Sequence, residues 1–125
     1  MDADIDPFFA RAGTHRLRMN IDLRNSPSDG SQRMLNALEP GTVMPIHRHH
    51  NSSETVIYVR GHFEEYFYDE NGNLTETVDM VSGGVVLNIE KGRWHGLKCL
   101  ESGTALFESK DGAYRPLEED EIMVK

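Results

Sequence analysis

Turn-forming residues interrupt this chain about every ten positions, and the stretches between them alternate apolar and polar side chains. The breaks fall at Asn25, Pro27 and Gly30, at Pro40 and Gly41, at Gly61, at Asn71 and Gly72, at Gly84 and at Gly92. That spacing leaves no room for long helices and specifies short strands. Leu17, Met19, Ile21 and Leu23 set the pattern, one apolar residue at every second position, as in a half-buried strand. Further strands are expected over 32–38, 43–49, 55–60, 62–68, 74–81, 85–89, 96–100 and 104–109. Asn71-Gly72 is a hairpin signal, because both central positions of a tight turn need a positive φ. The expected fold is an all-β sandwich or barrel. One exception stands near the start. Asp6 as a cap and Pro7 at the first helical position predict a short N-terminal helix that ends at Gly13.

The 125 residues suit one domain with its own core. We divide it into an N-terminal extension (1–30), a barrel core (31–110) and an acidic tail (111–125) of unassigned conformation. The single cysteine, Cys99, excludes an internal disulfide and fits a reducing compartment. No apolar run approaches the length needed to span a bilayer, and the acidic N-terminus does not read as a signal peptide. The expected location is the cytoplasm, without a membrane partner. Thirteen basic and 21 acidic residues give a formal charge of −8, a field that repels a phosphate backbone. Nucleic-acid binding is not expected.

The chemistry-bearing stretch is 41–61. His47 and His49 stand two residues apart, and Glu54 follows after a short polar loop. Alternate side chains of an extended strand leave the same face, so the two imidazoles can converge. His95 can supply a third imidazole from a later strand. Three imidazoles and one carboxylate suit one divalent transition metal ion, with Fe, Mn, Zn and Ni all open. The set is too nitrogen-rich for a calcium or magnesium cage and lacks the thiolates of most structural zinc sites.

In the spacing of these residues the chain resembles the cupins. Gly41, His47, His49, Glu54 and Gly61 match the family's first motif without a gap. Gly84, Gly92 and His95 match the second, with Glu90 in place of a proline and Cys99 in place of an asparagine. The resemblance implies a double-stranded β-helix (jelly-roll) barrel and His47, His49, Glu54 and His95 as metal ligands. A narrower resemblance, to the WbuC-type cupin-fold metalloproteins, is carried by 32–35, by Pro45 before His47-Arg48-His49, by Trp94-His95 and by the Phe107 to Pro116 pattern. It implies a link to bacterial surface-polysaccharide metabolism.

Other polar residues carry two readings each. Tyr58 shares strand parity with Glu54 and could line the pocket, or could be a core tyrosine with a satisfied hydroxyl. Glu108 could be a general base near the metal, or a paired strand carboxylate. His50 should face away from His49, and His15 and His62 read as isolated strand histidines. Cys99 reads as a small buried hydrophobe, Trp94 as a packing residue. Three functions follow. One is an enzyme, a metal-dependent isomerase, epimerase or dioxygenase, that acts on a small polar molecule such as a sugar or sugar-nucleotide derivative. The second is a non-catalytic module that binds or senses a small ligand, and the third a barrel merely stabilised by its metal. A homodimer is expected, because a small barrel leaves sheet edges and an apolar face uncovered.

Overall fold

A computed structural model describes residues 18–42, 44–83 and 85–124. The expected N-terminal helix lies outside the described residues. Eight strands follow one another: β1 (Arg18–Asp22), β2 (Ser31–Leu38), β3 (Glu54–Arg60), β4 (Phe63–Tyr68), β5 (Leu74–Met80), β6 (Val86–Ile89), β7 (Trp94–Cys99) and β8 (Thr104–Asp111). The single helical piece among the described residues is a 3₁₀ turn over Glu119–Glu121. All strand pairs are antiparallel. One sheet runs β1-β2-β8-β3-β6 and the other β5-β4-β7.

The period-2 pattern sorts the side chains. Along β4, Phe63, Glu65 and Phe67 are buried while Glu64, Tyr66 and Tyr68 are half-buried. The core between the sheets holds Leu38, Val56, Phe63, Phe67, Met80, Ile89, Cys99 and Leu106. On the other face of the larger sheet, Ala37 and Ala105 are covered by Met19 and Ile21 of β1. Gly61 must be glycine. Its φ is +86°, and a Cβ there would lie 2.3 Å from the Thr104 hydroxyl oxygen.

The strand expected over 43–49 does not form as a regular element. His47 makes isolated bridges, to His95 on one side and to Ile122 on the other. Pro45 lacks the N–H a continuous ladder would need. His47 and His95 exchange both backbone hydrogen bonds at 2.9 Å. On the far side Arg48 N–H donates to the Glu121 carbonyl and Met123 N–H to that of Ile46, each at 2.9 Å. The tail left unassigned from sequence is therefore a strap along the histidine segment.

Candidate metal centre

His47, His49 and His95 each turn a ring nitrogen towards one point, and these ligand atoms all lie within 4.8 Å of one another. His47 and His49 come from the bridged segment, His95 from β7. Glu54 opens β3 and is 5% exposed. The backbone sets the tautomers of two rings. His47 Nδ1 lies 2.9 Å from the Pro45 carbonyl and His95 Nδ1 2.9 Å from that of Arg93. A carbonyl only accepts, so each Nδ1 carries its proton there and each Nε2 is left to face the centre.

Several atoms at this centre are left without hydrogen-bond partners. His49 Nε2, His95 Nε2 and Glu54 Oε2 are all buried and unbonded. His95 Nε2 stands 2.9 Å from Glu54 Oε1. Such a contact requires a cation, either a proton on Nε2 or a metal ion held by both. Buried polar groups are normally satisfied, so unbonded ring nitrogens of His49 and His95 within one histidine cluster fit a divalent ion. At neutral pH the protonation states suit it as well. Burial above all, with the neighbouring His95 ring, pushes His47 down to about 4. Burial and the Lys110 ammonium do the same to His49, also to about 4. Burial works against the Glu54 carboxylate, but His95 and Lys110 more than offset it and hold Glu54 below the usual carboxylate range.

His47, Glu54 and His95 open onto a cavity of about 120 Å³. Glu108 and Lys110 of β8 line it with Asn36 and Glu65. Lys110 Nζ lies 3.5 Å from Glu54 and 4.0 Å from Glu108, and Asn36 donates to Glu108 at 3.1 Å. Burial lifts Glu108 above the usual carboxylate range, although Lys110 opposes it. A proton-active carboxyl and an ammonium thus face the histidines.

The structure brings His47, His49 and His95 together and sets Glu54 against His95, and Glu108 lines a cavity with His47, Glu54 and His95. Tyr58 is elsewhere. Its hydroxyl donates to the Gly61 carbonyl at 2.8 Å and its ring stacks on Phe63. His50 turns towards Asp120, 3.2 Å away. His62 pairs with Asp79, and His15 lies outside the described residues. Cys99 sits in the core with its thiol against the Glu101 carbonyl. Trp94 faces away from the cavity, donates to Glu70 at 3.1 Å and is covered by the Arg48 guanidinium at 4.4 Å. Sequence reasoning did not single out Glu65, Lys110, Asn36 or Glu121. For Glu65 a signal existed, since a carboxyl between Phe63 and Phe67 occupies a core-facing position.

Residues 2–80 match the family model described as a domain of unknown function, DUF6016. The chain belongs to this family. The DUF6016 match includes His47, His49 and Glu54 and stops before His95. No curated protein matches the chain in sequence. Solved structures match the fold. KdgF from Halomonas sp. is 17% identical with a TM-score of 0.64, over 81% of this chain and 85% of that one. Oxalate decarboxylase of Bacillus subtilis, whose Mn(II) centres have been studied, is 22% identical with a TM-score of 0.60, over 79% of this chain and 26% of that one. The capsular polysaccharide assembling protein CapF from Staphylococcus aureus is 24% identical with a TM-score of 0.60, over 78% of this chain and 27% of that one. The barrel of this DUF6016 member is the cupin fold. No described helix is long and apolar enough to cross a membrane.

Proposed function

We propose that this chain holds one divalent transition metal ion through His47, His49, Glu54 and His95 and presents it to a small polar molecule in the barrel. The observation that carries the reading is the convergence of His47, His49 and His95 on one point, with buried, unbonded Nε2 atoms on His49 and His95 and the Glu54 carboxylate against His95. The metal, when bound, supplies Lewis acidity or a site for O₂. The chain supplies the rest. Pro45 and Arg93 fix the ring tautomers through their carbonyls. Lys110 offers positive charge to an anionic or developing oxyanionic group, and Glu108 a proton site. The two sheets keep bulk water away from the ring nitrogens.

A sugar or sugar-nucleotide derivative is the preferred substrate class, with isomerase, epimerase or dioxygenase chemistry. The WbuC-like residues support it, as does the likeness to a capsular polysaccharide assembling protein, in a fold that does not itself dictate function. Glu108 in the cavity favours an enzyme over a purely binding module, because its raised proton affinity suits proton transfer. The reading includes a homodimer in a reducing compartment.

Protein purified without a nickel column should contain about one equivalent of divalent metal per chain, and His49→Ala should lose it. Metal content that His49→Ala leaves unchanged would overturn the ligand assignment.

A further inference from the structure

Glu65 breaks the pattern of its strand. It lies between Phe63 and Phe67 on the inner face of β4, and both phenylalanines are 0% exposed. Its own exposure is 3%. Across the sheet it faces Val78 and Leu97, which offer no side-chain hydrogen bond. Glu65 Oε2 has no hydrogen-bond partner, and no ion pair reaches the carboxyl among the described residues.

The other buried carboxylates are served differently. Glu54 has His95 and Lys110 within 4 Å. Glu121 accepts two bonds from Arg115 and one from the His50 N–H. A buried carboxyl with no partner costs stability, and an apolar side chain of similar size would be cheaper. Groups retained at such a cost tend to serve a site.

The position of Glu65 says which site. Phe67 pairs with His95, and Glu65 pairs with Leu97 two residues further along the same two strands. His95 and Glu65 therefore share one face of one sheet, diagonal to each other. Both line the cavity onto which His47, Glu54 and Glu108 also open.

We propose that Glu65 is a ligand-binding residue whose carboxyl donates a hydrogen bond to an oxygen of the molecule held beside the histidine triad. This rests on the metal-centre reading above. It also narrows the ligand class. The molecule carries at least two oxygens, one directed to the triad and one, a hydroxyl or carboxylate oxygen, to Glu65. Burial and the nearby Glu54 and Glu108 carboxylates raise Glu65 well above the usual carboxylate range, which keeps a proton available to donate.

The test uses wild type, Glu65→Gln and Glu65→Leu, each loaded with Co(II) after its metal content is measured, with lactate as the probe. Lactate has a hydroxyl and a carboxylate on adjacent carbons, and its binding is followed in the visible cobalt spectrum. Expected is lactate binding to wild type, binding within about threefold for Glu65→Gln, whose amide still donates, and at least about tenfold weaker binding for Glu65→Leu. The metal-free proteins are melted in parallel. Glu65→Leu should melt a few degrees higher than wild type, because the unpartnered carboxyl is gone. No lactate response of cobalt-loaded wild type, equal lactate affinity of Glu65→Leu and wild type, or a lower melting temperature for Glu65→Leu would overturn the proposal. Wild type that takes up no cobalt would instead overturn the metal centre, and this proposal with it.

Discussion

Hydrogen bonds to backbone carbonyls determine which face of an imidazole is chemically useful. Pro45 and Arg93 each take the Nδ1 proton of a histidine two residues away, so His47 and His95 offer Nε2 to the barrel. Spacing in the sequence was enough to expect His47 and His49 to converge, and their ring nitrogens do lie close together. It could not reveal these second partners, which depend on local backbone direction. Tyr58 shows the same limit differently. Strand parity with Glu54 correctly put it on the inner face, but four residues along a strand is about 13 Å, and there the hydroxyl meets Gly61. Parity specifies a face without specifying depth. The low proton affinity of His47 and His49, both about 4 against the ordinary 6.5, gives a pH dependence. Between about pH 6.5 and 4 the unfolded chain binds protons on these rings and the folded chain does not, so stability falls as the pH drops through that window. In metal-free protein the urea midpoint should decline from pH 7 to pH 4, and His47→Gln/His49→Gln should decline less. Equal declines would show that these rings are not neutral in the fold.

Strands were legible where alternation was clean, and β2, β4 and β5 lie close to the stretches expected from it. The histidine segment was misjudged as a regular strand, because Pro45 interrupts the ladder that its alternation suggests. Its partner was illegible for another reason. The tail has no apolar period. It is held instead by one buried carboxylate, Glu121, which accepts from Arg115 at 2.7 and 2.9 Å, from the His50 N–H at 2.7 Å and from the Glu118 N–H at 2.9 Å. The paired Arg115 guanidinium holds Glu121 down to about 2, so the anchor stays charged. Glu121→Ala should therefore loosen the segment that carries His47 and His49. Metal affinity should fall by about 10- to 100-fold, as it does when groups that orient ligands are removed, while far-UV circular dichroism stays close to wild type. Unchanged affinity would mean that the strap does not position the ligands.

Over the described residues, a five-stranded and a three-stranded sheet enclose an apolar core and the cavity beside it. The larger sheet leaves Ile57, Val59 and Val86 on its outer surface, with exposures of 37%, 40% and 59%. Those side chains belong to β3 and β6, adjacent strands at one side of the sheet. A second copy that covers this face would remove apolar area from water at about 25 cal/mol per Å². Light scattering should return twice the chain mass of 14.2 kDa, and Val59→Asp should shift the mass towards the monomer. A wild-type mass of 14.2 kDa would refute the dimer.

The strap also imposes an order of events during synthesis. The His50 N–H and the Glu121 carboxylate that receives it are 71 residues apart in the chain. At roughly 5–20 residues per second, the ribosome delivers the second partner about 4–14 s after the first. Through that interval His47 and His49 are already made but have no strap beside them. The strap can therefore order the histidine segment only after Glu121 has been added.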